Sequence, residues 1–222
     1  MERDIKAYYF DTIGSDGMAE FKDRGSRFIA FAFPIGNRED FKMKLQEIKS
    51  LHPKSSHYCF AFRIGTSGDD FRVSDDGEPS GTAGKPIFGQ LEAFDVTNIL
   101  CVVVRYFGGT LLGTGGLIKA YKDSAKEVLA LAILKEIRPE YLYKVTFDYV
   151  RMPLVMAAAK RFPGRIVDKH LDQNPFLILS TEREDEDYLI PLFKSYVLGV
   201  EVDHAAALNP PDFKIEKYMQ DA

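Results

Sequence analysis

Apolar and polar positions along this chain alternate with two different periods, and the switches between them mark out short strands and helices. Residues 26–35 put Phe28, Ala30 and Ala32 on one face and Ile29, Phe31 and Phe33 on the other. A strand apolar on both faces belongs at the centre of a sheet. Pro34 and Gly36 close it, and Asn37 is placed to cap a helix over 38–51, where Phe41, Leu45 and Ile48 recur at helical spacing. Residues 7–13 suggest a first strand and 14–17 a turn. Residues 56–64 and 71–73 read as two strands around a Gly-Asp turn. Residues 85–94 fit a helix with Pro86 near its start, where a missing N–H costs little. Residues 98–106 form a β-branched, buried strand. A long helix over 115–132 follows, with Leu117, Ala120, Tyr121, Ala125, Val128, Leu129 and Ala132 three or four apart.

After Pro139 the pattern changes. Strands are expected at 143–149, 165–171, 176–181 and 200–206, with helices at 153–162 and 185–198. The acidic start of the second helix suits the helix dipole. The order β-α-β-β-α-β is the ferredoxin-like split motif. The fold class is therefore α+β, with one domain over 1–138 and a ferredoxin-like domain over 139–222. The polar tail 209–222 reads as loosely held.

Composition narrows the function classes. The 222 residues are 45% apolar, enough for a buried core. Runs such as 99–104 are far short of the roughly 20 apolar residues a membrane span needs, and the N-terminus lacks an apolar signal region, so the expectation is a cytoplasmic protein with no membrane partner. Cys59 and Cys101 both lie in apolar runs and read as reduced core residues. The charge is uneven: residues 1–138 carry 19 Lys and Arg against 19 Asp and Glu, whereas 139–222 carry 10 against 14. Neither part has the basic excess of a strong nonspecific nucleic-acid binder, so any RNA contact must be local. No metal motif is present and no cofactor is expected.

Chemistry concentrates in two glycine-laced segments, S-D-D-G-E-P-S-G-T-A-G-K-P at 74–86 and R-Y-F-G-G-T-L-L-G-T-G-G-L at 105–117. They hold eight of the 17 glycines, which points to one surface site built from backbone rather than to loop filler. The second segment opens a helix, whose first N–H groups attract anions. Gly108, Gly109, Gly113, Gly115 and Gly116, with Lys85, Arg105 and Lys119, are the candidate phosphate or RNA contacts. The segment is neither a P-loop nor G-x-G-x-x-G, since Ile118 stands where the third glycine belongs. A tight strand-to-helix connection, an RNA phosphate cradle and a nucleotide site all remain open. Asp75, Asp76, Glu78, Ser80 and Thr82 are candidates for shaping the first loop or meeting a partner. Arg105 is expected to be exposed, with one of Tyr106 and Phe107 in the core. His57 and Cys59 share a strand face and read as a hydrogen-bonded histidine and a core cysteine.

The run F-R-V-S-D-D-G-E-P-S-G-T-A-G-K-P-I at 71–87, followed by V-V-V-R-Y-F-G-G-T-L-L-G-T-G-G-L-I-K-A-Y at 102–121, closely resembles the IMPACT/YigZ family. Upstream, S-R-F-I-A at 26–30 and H-Y-C-F-A-F-R at 57–63 are similar to it too. The resemblance implies a first domain of the ribosomal-protein βαβ kind, like domain IV of elongation factor G, and a second like that factor's domain V. It also implies a role in translation control, with the ribosome, RNA or a protein as partner and no established reaction. The leading expectation is a non-enzymatic regulator. The alternative is a small-molecule enzyme that binds a nucleotide or phosphorylated substrate at the same loops.

Overall fold

The structure is a computed structural model that describes residues 9–218. The chain divides between Ile137 and Arg138 into two compact units. In the first unit the strands are β1 (Phe10–Ile13), β2 (Gly17–Asp23), β3 (Ser26–Pro34), β4 (His57–Ile64), β5 (Asp70–Ser74), β6 (Ile99–Tyr106) and β7 (Leu134–Ile137). The helices are α1 (Arg38–Leu51), α2 (Gly84–Ala93) and α3 (Gly113–Leu131). A five-stranded antiparallel sheet runs in the order β2-β3-β6-β4-β5, and β1 pairs with β7 in a separate ribbon.

The doubly apolar strands sit where their pattern puts them. β6 is central and its first seven residues are buried. One sheet face, including Phe31, Phe60, Val102 and Val104, packs against Phe41 and Ile48 of α1. The other, including Phe28, Cys59, Cys101 and Val103, packs against Ile87 and Leu91 of α2 and Leu117, Tyr121 and Val128 of α3. Asn37 caps α1 by accepting from the Glu39 and Asp40 N–H groups, both at 2.9 Å. Because β6 alternates, Arg105 joins Cys101 and Val103 on the α3 side, while Tyr106 faces the α1 side.

The second unit contains β8 (Glu140–Phe147), α4 (Met152–Arg161), β9 (Arg165–His170), β10 (Phe176–Glu182), α5 (Glu186–Leu198), α6 (Val202–Ala207) and β11 (Phe213–Tyr218). Its antiparallel sheet has the order β11-β8-β10-β9, with α4 and α5 on one face around Phe193 and Leu177. Two expectations are corrected here. Residues 202–207 form a helix, because the run Val-Asp-His-Ala-Ala-Ala is a better helix than strand former. The fourth strand lies in the supposedly loose tail, where Phe213 is 2% exposed and its residues pair with β8. Residues 219–222 lie outside the described residues. No helix among those described is long and apolar enough to cross a membrane.

Candidate functional site

The first glycine segment folds back on itself around one carboxylate. After β5, Asp76 (φ 41°) turns the chain in the left-handed region. Asp75 then accepts from the N–H groups of Gly81 (2.8 Å), Ala83 (3.0 Å) and Gly84 (2.9 Å). These groups stand at the start of α2, so the chain supplies its own anion there. Burial works against the charge, but the three N–H groups and Lys85 hold the Asp75 carboxyl below its ordinary value. Asp76 accepts from the Tyr58 N–H at 2.7 Å, which ties the turn to β4. The Thr82 hydroxyl donates to the Pro79 carbonyl at 2.7 Å. Ser80 is exposed.

Arg105 is not the exposed phosphate ligand that its sequence context suggests. It is 5% exposed, and its Nη1 donates to Glu78 Oε1 at 2.6 Å. The guanidinium lies 5.4 Å from the Phe28 ring centre and 5.5 Å from that of Phe107. Burying this charge is tolerable only because Glu78, 27 residues earlier, is folded against it. The Tyr121 hydroxyl donates to the same Glu78 oxygen at 2.8 Å. Burial, with Cys59 and Glu78 close by, raises the Tyr121 phenol and keeps it a neutral donor. His57 completes the group: Nδ1 lies 2.8 Å from the Asp76 carbonyl and Nε2 lies 3.8 Å from Glu78 Oε1.

Beside this charged cluster is a cavity of about 490 Å³ whose lining includes His57, Glu78, Arg105, Phe107, Leu111 and Gly113. It brings residues of both glycine segments together. Phe107 is 50% exposed and Leu111 82%. The N-termini of the two helices differ sharply. α2 is plugged by Asp75, whereas no side chain among the described residues caps α3, whose N-cap is Leu112. The glycines differ as well. A Cβ on Gly108 would come within 1.9 Å of the Gly25 carbonyl carbon, so this glycine is required by the close approach of the turn between β2 and β3. A Cβ on Gly115 would meet nothing within 4 Å, and its φ is not positive.

The three candidate cations do not converge. Lys85 is exposed beside Asp75 and does not line the cavity. Lys119 is also outside the lining and pairs with Asp123 at 2.5 Å. His57 is hydrogen-bonded, as its strand position suggested, but its place in the cavity lining and the roles of Leu111 and Tyr121 were not read from the sequence. Leu111 carried a signal, as one of two adjacent leucines in a glycine-rich loop. Among the described residues, no group of three or more His, Cys, Asp or Glu side chains is arranged to hold a metal ion.

Fold and site together define a two-unit α+β protein whose first unit carries a largely apolar cavity lined by residues of both glycine segments. Residues 24–129 match the Impact N-terminal domain. The "IMPACT family member" of Haemophilus influenzae is 40% identical over 157 residues, 69% of this chain and 76% of that protein. The "IMPACT family member YigZ" of Escherichia coli is 36% identical over 156 residues, with the same two coverages. A solved structure described as "Crystal structure of an hypothetical protein" superposes with a TM-score of 0.70 at 25% identity, covering 97% of this chain and 99% of that one. The chain belongs to the IMPACT family.

Proposed function

We propose that this protein is a translation-linked RNA-binding protein that meets the ribosome or its RNA with the face around the α3 N-terminus. Family membership supports the link to translation, and the contrast between the two helix starts carries the choice of surface. The amides of α2 are occupied by Asp75, while those of α3 are left uncapped beside the exposed side of Phe107. In this reading a phosphate accepts from the α3 amides and an unpaired base stacks on Phe107. Gradient sedimentation with ribosomes tests it. Co-migration should weaken roughly tenfold on Phe107→Ala, since a stacked base contributes about 1–3 kcal/mol. Absence of co-migration at low and physiological salt would refute the ribosome as partner.

A second reading, a small-molecule enzyme for a nucleotide or phosphorylated substrate, is favoured by the size of the cavity. About 490 Å³ falls within the range of roughly 300–1,000 Å³ usual for ligand sites. A nucleotide that binds the folded state would raise the melting temperature by mass action.

A further inference from the structure

The charged cluster in the cavity wall has a polarity that selects its ligand. The carbonyl oxygen of Asp76 can only accept, so the 2.8 Å contact makes His57 Nδ1 the protonated nitrogen. In the neutral ring Nε2 is then an acceptor, and it lies 3.8 Å from a carboxylate oxygen that cannot donate to it. Glu78 is 8% exposed, and its described hydrogen bonds from Arg105 and Tyr121 both use Oε1. With the His57 ring neutral, the cavity lining sets two acceptors side by side, the Nε2 lone pair and the Glu78 carboxylate. A ligand that fits must bring hydrogen-bond donors to that spot.

The rest of the lining specifies its other parts. Gly113 and Thr114 bring the uncapped start of α3 to the cavity edge, where amide N–H groups favour an anion. Arg105, nineteen-twentieths buried in the same lining, has an Nε–H without a partner among the described residues. Gly115, next along α3, is a helical glycine that no neighbouring atom requires, and it leaves the approach to those amides bare. Phe107 and Leu111 supply apolar surface at the exposed edge. The set comprises a neighbouring pair of acceptors, an anion site and an exposed aromatic edge.

We infer that the cavity holds a ribonucleotide unit, with its ribose hydroxyls donating to His57 Nε2 and Glu78, its phosphate at the α3 amides and its base against Phe107. This rests on the proposed binding face and adds to it a discrimination of RNA from DNA. A 2′-hydroxyl provides the donor that deoxyribose lacks, and without it the two acceptors stay unpaired. The source is a single-stranded RNA or a free ribonucleotide, which share this chemistry.

The test is fluorescence anisotropy of the full chain with a labelled eight-residue oligoadenylate and its deoxy counterpart. The RNA is expected to bind at least tenfold more tightly. His57→Ala is expected to bring RNA down to the affinity of DNA and leave DNA unchanged. Equal binding of RNA and DNA by the unaltered protein would overturn the ribose assignment while leaving the proposed binding face standing. An equal loss for both ligands in His57→Ala would likewise overturn it, by making His57 merely structural. Binding of neither oligomer, with no displacement or melting-temperature response to adenosine monophosphate, would overturn both proposals. The RNA-to-DNA ratio of the unaltered protein needs no variant, so it decides even where His57→Ala folds poorly. Competition by adenosine monophosphate over its deoxy form would identify the free nucleotide as a sufficient occupant, and competition by the oligomer alone would identify RNA.

Discussion

Arg105 shows how far a residue's role depends on what is folded over it. A guanidinium buried against Glu78 and between two rings is structural whatever else it touches. Arg105→Ala strands the Glu78 carboxylate in a site where both are nearly inaccessible. Stability should fall by about 3–5 kcal/mol, measured by urea denaturation, far beyond the effect of removing a surface arginine. Asp75 gives a sign-specific prediction. Its carboxyl titrates below the ordinary value, so its contribution is complete above roughly pH 4 and is lost as pH falls through the lower folded value. Asp75→Asn keeps one acceptor oxygen but loses the charge at the α2 start. The variant should be about 1–2 kcal/mol less stable at pH 7, and the gap should close under acid. A gap that does not shrink at all as pH falls below roughly 4 would show that the charge is not the cause.

At the scale of elements, α3 carries two opposed demands. Its buried stripe of Leu117, Tyr121, Ala125 and Val128 fixes it on the sheet, but its first turn is built from residues with poor helix propensity. Gly115→Ala should therefore raise stability by about 0.5–1 kcal/mol in thermal denaturation and yet weaken RNA binding. A variant that is stabilised and binds as before would show that the bare turn has no function. The strands missed in the sequence are instructive for the same reason. β2 alternates half-buried Ala19 and Phe21 with exposed Met18, Glu20 and Lys22, and β11 alternates Phe213 and Ile215 with Lys214 and Glu216. Both patterns have period two, but they lie on edge strands with one polar face, where charged composition imitates a loop.

For the whole molecule, charge is within one elementary charge of balance over the first unit and more negative over the second. The strongest candidate cation is turned inward, and Lys119 is already paired. Under the proposed function, affinity for RNA comes from stacking, backbone amides and hydroxyl recognition rather than from a basic field. The logarithm of the binding constant should fall with the logarithm of salt at a slope of about −0.7 to −1.4, as for one or two phosphate contacts on a single strand. A slope steeper than about −5 would mean that a basic surface elsewhere does the binding.

The amino-acid sequence was enough to place the central strands β3, β4 and β6, the three helices that cover them and the change of pattern at Pro139. Burial of apolar faces is written locally, as periods of two and of 3.6. It also singled out the two glycine segments, residues of which the fold brings together around one cavity. The direction in which each polar group of those segments points was decided only in three dimensions. Whether Arg105 faces solvent depends on Glu78 arriving from another loop, and whether a helix start is open or filled depends on an aspartate eight or nine residues away. Such pairings follow from which elements the topology brings into contact, and no local period along the chain records them.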